Sequence, residues 1–111
     1  MESLSIGQVV LAAFPFSDLT TTKFRPCLVI GLAEFNDVLL CQITSRNYGS
    51  RKAVGLAKSD FVQGELIRDS FVRPDKIATL DKSKIKRVLG TINNIKLDKV
   101  KQSLKTILEI S

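Results

Sequence analysis

Two short stretches of the chain hold residues suited to chemistry on a phosphate: Arg25-Pro26 and Gln42-Ile43-Thr44-Ser45. Pro26 pushes Arg25 toward an extended backbone and so narrows where its guanidinium can point. A planar, permanently charged guanidinium matches a phosphodiester and the extra negative charge of a phosphorane-like transition state. The hydroxyls of Thr44 and Ser45 can hold a phosphate oxygen or relay a proton. A plainer role fits the same residues, with Arg25 in a strand-end ion pair and Thr44 filling a β position. The residues alone leave both roles open. The other common catalytic sets are missing. With no histidine in the chain there is no Ser-His-Asp or Cys-His pair. Two cysteines and scattered carboxylates give no zinc cluster, and no glycine-rich phosphate loop occurs. Asp60, Glu65, Asp69 and Asp75 match no magnesium motif. No metal or cofactor is therefore expected.

The elements that must position these residues read as strands over the first three-quarters of the chain. Val9 to Ala12 follow Gly7 and end at Phe14-Pro15-Phe16, where the proline stops a central strand. Residues 17–23 are polar and threonine-rich, a loop. Residues 26–32 form an apolar run rich in β-formers, 34–37 supply turn chemistry, and 38–44 return as a second strand. In such a hairpin Arg25 and Thr44 share the open end. Residues 45–52 make a second polar loop. Short strands are expected over 53–56, 65–67, 70–73 and 76–80, with Asp60, Gly64 and Pro74 in their connections. Asp81 is the expected N-cap of a short helix over 83–89 that stops at Gly90. Leu97, Val100, Leu104, Ile107 and Leu108 define one face of a closing helix, with Lys99, Lys101 and Lys105 pointing away. The sum is a mainly-β (α+β) fold, a small barrel with a short helix and a C-terminal helix.

At 111 residues the chain fits one domain, residues 1–111. Its longest nearly uncharged stretch, residues 4–17, is too short for a membrane span and lacks signal-peptide features, so a cytoplasmic protein without membrane contact is expected. Cys27 and Cys41 sit inside apolar runs and read as buried reduced thiols, with a disulfide between neighbouring strands, unusual in the cytoplasm, as the alternative. The net charge of +6 is unevenly spread. Up to Thr44 the only basic residues are Lys23 and Arg25, and all others follow from Arg46 onward. A basic domain of this kind implies an anionic partner, nucleic acid first. For the lysines of the C-terminal helix, a solvated face accounts for the charge.

Taken together and in order, these pieces resemble the PemK/MazF family of toxins from type II toxin–antitoxin systems. Gly7-Gln8-Val9-Val10-Leu11 with Phe14-Pro15-Phe16 is similar to the family's first strand. Arg25-Pro26-Cys27-Leu28-Val29-Ile30 is similar to its arginine–proline strand, and Leu40-Cys41-Gln42-Ile43-Thr44-Ser45 to its third strand. Ser70-Phe71-Val72-Arg73-Pro74-Asp75-Lys76-Ile77 and Leu89-Gly90 complete the series. The resemblance implies an SH3-like barrel of the MazF/CcdB type that forms a homodimer. It also implies a metal-independent endoribonuclease that cuts single-stranded RNA at a short sequence by attack of the ribose 2′-hydroxyl. The family's catalytic arginine corresponds to Arg25 and its catalytic threonine or serine to Thr44, with Ser45 adjacent. A cognate antitoxin, acidic and partly disordered, is the implied protein partner.

Around that centre, Phe16, Thr22, Lys23, Phe24, Arg46, Tyr48, Arg51, Lys52 and Arg73 are the candidate RNA contacts. The phenylalanines Phe14, Phe16 and Phe24 could stack on bases, against core or dimer packing, which suits Phe14 and Phe16. Arg73 and Asp75 are spaced to pair with each other. The chain also departs from the family pattern. Gln8 stands where aspartate is common, Arg46 follows the hydroxyl pair, and Ala78 stands where well-studied branches carry an assisting arginine, a role open to Arg73. Ala78 keeps two further readings in play: a non-enzymatic toxin that binds DNA gyrase, as in the related CcdB group, or a nucleic-acid-binding module without catalysis.

Overall fold

The computed structural model describes residues 3–14, 23–47 and 49–110. Alternation of apolar side chains along the strands decides the architecture. In β1 (Gln8–Ala12), β2 (Arg25–Leu32) and β3 (Asp37–Thr44), consecutive residues point to opposite faces, and both faces are apolar. Val9, Leu28, Cys41 and Ile43 join one core cluster, while Val10, Cys27, Val29, Val38 and Leu40 join another. A sheet apolar on both sides has to be covered on both. It therefore curls, and α1 (Asn94–Leu108) packs Leu97 and Val100 onto the first cluster.

Seven strands form one antiparallel sheet in the order β4-β6-β3-β2-β1-β7-β5, confirming the mainly-β reading. The β2–β3 hairpin turns where expected. Phe35 and Asn36 both have left-handed backbones, the twist that two-residue hairpin turns favour. Register shifts in the β1–β7, β2–β3, β3–β6 and β5–β7 pairs add local bends and twist. Cys27 and Cys41 occupy opposite faces of the sheet, so no bridge joins them, and both are free buried thiols. Burial pushes each of them up to about 12, which keeps them protonated and unreactive.

Four sequence expectations are corrected. Residues 83–89 are not a helix. Asp81 does cap, its side chain accepting from the Ser83 N–H at 2.8 Å, but the turn ends after Lys82–Lys84 and β7 (Ile85–Ile92) follows. β1 needs a partner on its second edge, and β7, with Ile85 and Ile92 buried, supplies it. Next, residues 65–67 are not a strand. β5 (Phe61–Gly64) pairs with β7 just before them, and Gly64, at φ +69°, turns the chain out of the ladder. In addition, residues 70–73 and 76–80 form the single strand β6 (Ser70–Asp81), in which Pro74 sits inside a bulge. Arg73 faces Gln42 and Ile77 faces Cys41, so the proline's missing N–H costs no ladder bond. Finally, Leu108 lies 54% exposed rather than in the helix interface. The remaining strand, β4 (Val54–Leu56), forms within the expected 53–56 and pairs with the start of β6.

Gly64 and Gly90 face each other where β5 meets β7. A Cβ on Gly64 would collide with the Leu89 carbonyl and the Gly90 Cα, and an L side chain at that φ is itself strained. Gly64→Ala is expected to cost about 2 kcal/mol or more, read as a lower urea midpoint, because β5 must shift away from β7.

Candidate RNA-cleaving site

The open end of the β2–β3 hairpin places the two chemical stretches together. Cys27 faces Gln42 in the ladder, and the same register carried two residues on sets Arg25 across from Thr44. On the other side of β2, Ala12 pairs with Arg25 and Leu11 with Pro26. Leu11 also pairs with Arg87 of β7. Beyond β3, Arg73 of β6 faces Gln42. Strands distant in sequence thus meet along one row.

An open cleft of about 1080 Å³ lies over this row. Its apolar surface comes from Leu11, Pro26, Ile43, Leu66 and Leu89, and its charged lining from Arg25, Arg46, Arg68, Arg73, Lys76 and Arg87, with Glu65 opposed to them. Among the described residues that is six cations to one carboxylate in one concavity. Their mutual repulsion is relieved by an anion, and the low-dielectric walls focus the potential on it.

Thr44 is held by a local turn. Its Oγ1 accepts from the Arg46 N–H at 3.2 Å, which leaves its own proton to donate. Ser45 follows on the exposed side. Arg73 makes a two-bond ion pair with Asp75, Nε to Oδ1 at 3.3 Å and Nη2 to Oδ2 at 3.1 Å. That hydrogen-bonded guanidinium holds the Asp75 carboxyl below the usual carboxylate range.

Of the residues anticipated from the sequence, Arg25, Thr44, Ser45, Arg46 and Arg73 line the cleft. Phe16, Thr22 and Tyr48 lie outside the described residues. Lys23 and Phe24 are described but do not line it. Phe24 is half-exposed, with Lys86 Nζ 5.1 Å from its ring centroid. Arg51 and Lys52 do not line it either; Lys52 sits beside the helix, where the Ser103 hydroxyl donates to its carbonyl at 3.0 Å. Ala78 faces Leu40 across the ladder, packs on the second core cluster and is not in the cleft lining. Arg87 and Arg68 escaped the sequence reading, Glu65 was weighed there only as a metal ligand, and Lys76 was given no site role. Arg87 was hidden by the helix expected over 83–89, although Ile85, Val88 and Ile92 are β-branched and were the available signal.

Among the described residues no three or more histidine, cysteine or acidic side chains are grouped to hold a metal ion. No helix among them is long and apolar enough to cross a membrane.

A family profile described as PemK-like, MazF-like toxin of type II toxin–antitoxin system matches residues 5–108. Solved structures with the same fold include an endoribonuclease in complex with its cognate antitoxin from a Mycobacterial species, at 23% identity and TM-score 0.75, covering 100% of this chain and 98% of that one. A MazE–MazF structure from Deinococcus radiodurans is 24% identical with TM-score 0.75 and full coverage of both chains, 100% and 100%. A Mycobacterium tuberculosis MazF toxin is 18% identical with TM-score 0.74, covering 94% of this chain and 98% of that one. No curated protein sequence matches.

The Arg73–Asp75 pair sets a pH dependence. Because the native carboxyl titrates below its unfolded value, the pair's contribution is complete above the ordinary carboxylate range and is lost as pH falls through the lowered native value. Asp75 is more than a third exposed, so solvent screening keeps that contribution under about 1 kcal/mol. Asp75→Asn is expected to cost less than this at neutral pH and to flatten the fall in stability below about pH 4, measured by urea unfolding across pH.

Proposed function

The chain belongs to the PemK-like, MazF-like toxins of type II toxin–antitoxin systems, and we propose that it is a metal-independent endoribonuclease cutting single-stranded RNA at a short sequence. The observation that carries this reading is the convergence of Arg25 and Thr44 in a cleft whose described charges are cationic but for Glu65.

In the proposed reaction the ribose 2′-oxygen attacks the adjacent phosphorus and loses its proton. The bond to the 5′-oxygen breaks, and that oxygen takes up a proton, leaving a 2′,3′-cyclic phosphate and a 5′-hydroxyl. Arg25 meets the charge that builds on the non-bridging oxygens, a stabilisation that grows toward the transition state. The Thr44 hydroxyl donates to one of those oxygens, and Ser45 offers a second hydroxyl beside it. Arg46, Arg73 and Arg87 hold neighbouring phosphates, while the apolar lining suits unstacked bases.

The protein partners in this reading are a second copy of the chain and a cognate antitoxin. Related structures hold MazE with MazF or a toxin with its antitoxin. An acidic, partly disordered antitoxin segment laid in the cleft would relieve the same repulsion as RNA and so block it, folding as it binds.

Purified protein incubated with long single-stranded RNA in excess EDTA is expected to give discrete fragments ending in cyclic phosphate. Arg25→Ala should slow cleavage by a hundredfold or more, about 3 kcal/mol of transition-state stabilisation. Intact RNA with the wild-type chain, or full activity in the variant, overturns the assignment; a supercoiling assay then separates gyrase poisoning from simple binding. Arg87→Ala is expected to lower the salt slope for single-stranded RNA by about 0.7, one lost phosphate contact, seen in titrations with a 2′-deoxy substrate that cannot be cut.

A further inference from the structure

Glu65 is out of place in a cleft built for phosphates. It is the one carboxylate among the described lining residues, and it repels the backbone that the six cations attract. Its position is nonetheless fixed. Gly64 turns the chain out of β5, Leu66 is buried in the first core cluster, and the Ser70 hydroxyl donates to the Arg68 carbonyl at 3.1 Å. With Leu66 anchored, its neighbours Glu65 and Ile67 both border the cleft. Ile67 is 94% exposed, an apolar side chain left in water at the edge of a charged concavity.

The pairing of an acceptor with a bare apolar surface suits a nucleobase rather than a phosphate. A base laid on Ile67 removes apolar area from water and brings its edge toward the carboxylate. In single-stranded RNA that Watson–Crick edge is open to be read. Carboxylates accept from base amino groups. Guanine offers adjacent N1–H and N2–H donors that match two carboxylate oxygens, cytosine and adenine offer one amino group each, and uracil presents carbonyl oxygens on both sides of its single N–H. The Lys58 ammonium lies 3.4 Å from Glu65 Oε2, with both side chains about two-thirds exposed. Such a solvated pair is weak, and a carboxylate oxygen accepts more than one hydrogen bond.

We infer that Glu65 is a specificity-determining residue, reading the amino edge of one base held against Ile67 and favouring guanine over uracil there. This inference rests on the ribonuclease reading of the cleft.

The test uses a single-stranded RNA pool of random sequence, with the wild type, Glu65→Ala and Glu65→Gln. Cleaved ends are sequenced, and so is the bound fraction of a 2′-deoxy version of the pool. The wild type should disfavour uracil by about tenfold at one position. Glu65→Ala should erase that preference at that position alone, while total binding holds or rises because a negative charge has gone. Glu65→Gln, which adds an N–H donor, should raise tolerance of uracil there. If Glu65→Ala raises cutting and binding at every site with an unchanged profile, Glu65 acts only as a charge and the inference fails, as it does if nothing changes. A wild type that binds RNA without cutting it defeats the nuclease reading, while the bound pool still decides the role of Glu65. If it neither binds nor cuts, both are overturned.

Discussion

The pairing of β2 with β3 is the constraint on which the site depends. Both strands are apolar on both faces, so a slip of one residue would exchange the contents of the two core clusters. The Val29, Leu40 and Val38 side chains would leave one cluster and Leu28, Cys41 and Ile43 the other. Fully burying each such side chain contributes roughly 1.5–3 kcal/mol, so the register is strongly held. Arg25 and Thr44 lie just past the well-packed part of that ladder. Their relative position follows from the register that hydrophobic packing sets.

The same packing makes room for repulsive charge. Among the described residues six cations gather around one cleft, with Glu65 in the lining and the Arg73–Asp75 pair moderating them. A domain of this size has little stability to spare, yet its two-sided core tolerates the arrangement. Like charges gathered in one concavity favour an anionic ligand. In the proposed reading RNA and an acidic antitoxin segment are both anions, and so would compete for the same cleft.

Bulges and glycines turn a plain sheet into a site. The bulge at Pro74 keeps β6 paired with β3 on both sides of the proline, with Arg73 opposite Gln42 and Ile77 opposite Cys41. The close approach of Gly64 to Gly90 brings β5 onto β7 and sends the following loop to the cleft wall. Neither device is chemical, yet each decides which side chains the cleft contains.

The hairpin, its turn, the closing helix and the Arg25–Thr44 juxtaposition were legible in the amino-acid order, because each depends on residues near one another or on a simple period. The order also determined that the thiols are buried and that no histidine can take part. What it could not decide were the long-range partners. Residues 85–92 have apolar spacing and a glycine that suit a helix end as well as a strand, and only the open edge of β1 selects the strand. That choice brought Arg87 into the cleft and showed Gly90 to be a packing residue rather than a stop. Glu65, Ile67 and Arg68 join the site for the same reason. Their local sequence carries no period, and their place is set by where Gly64 and Leu66 can be accommodated in the folded sheet.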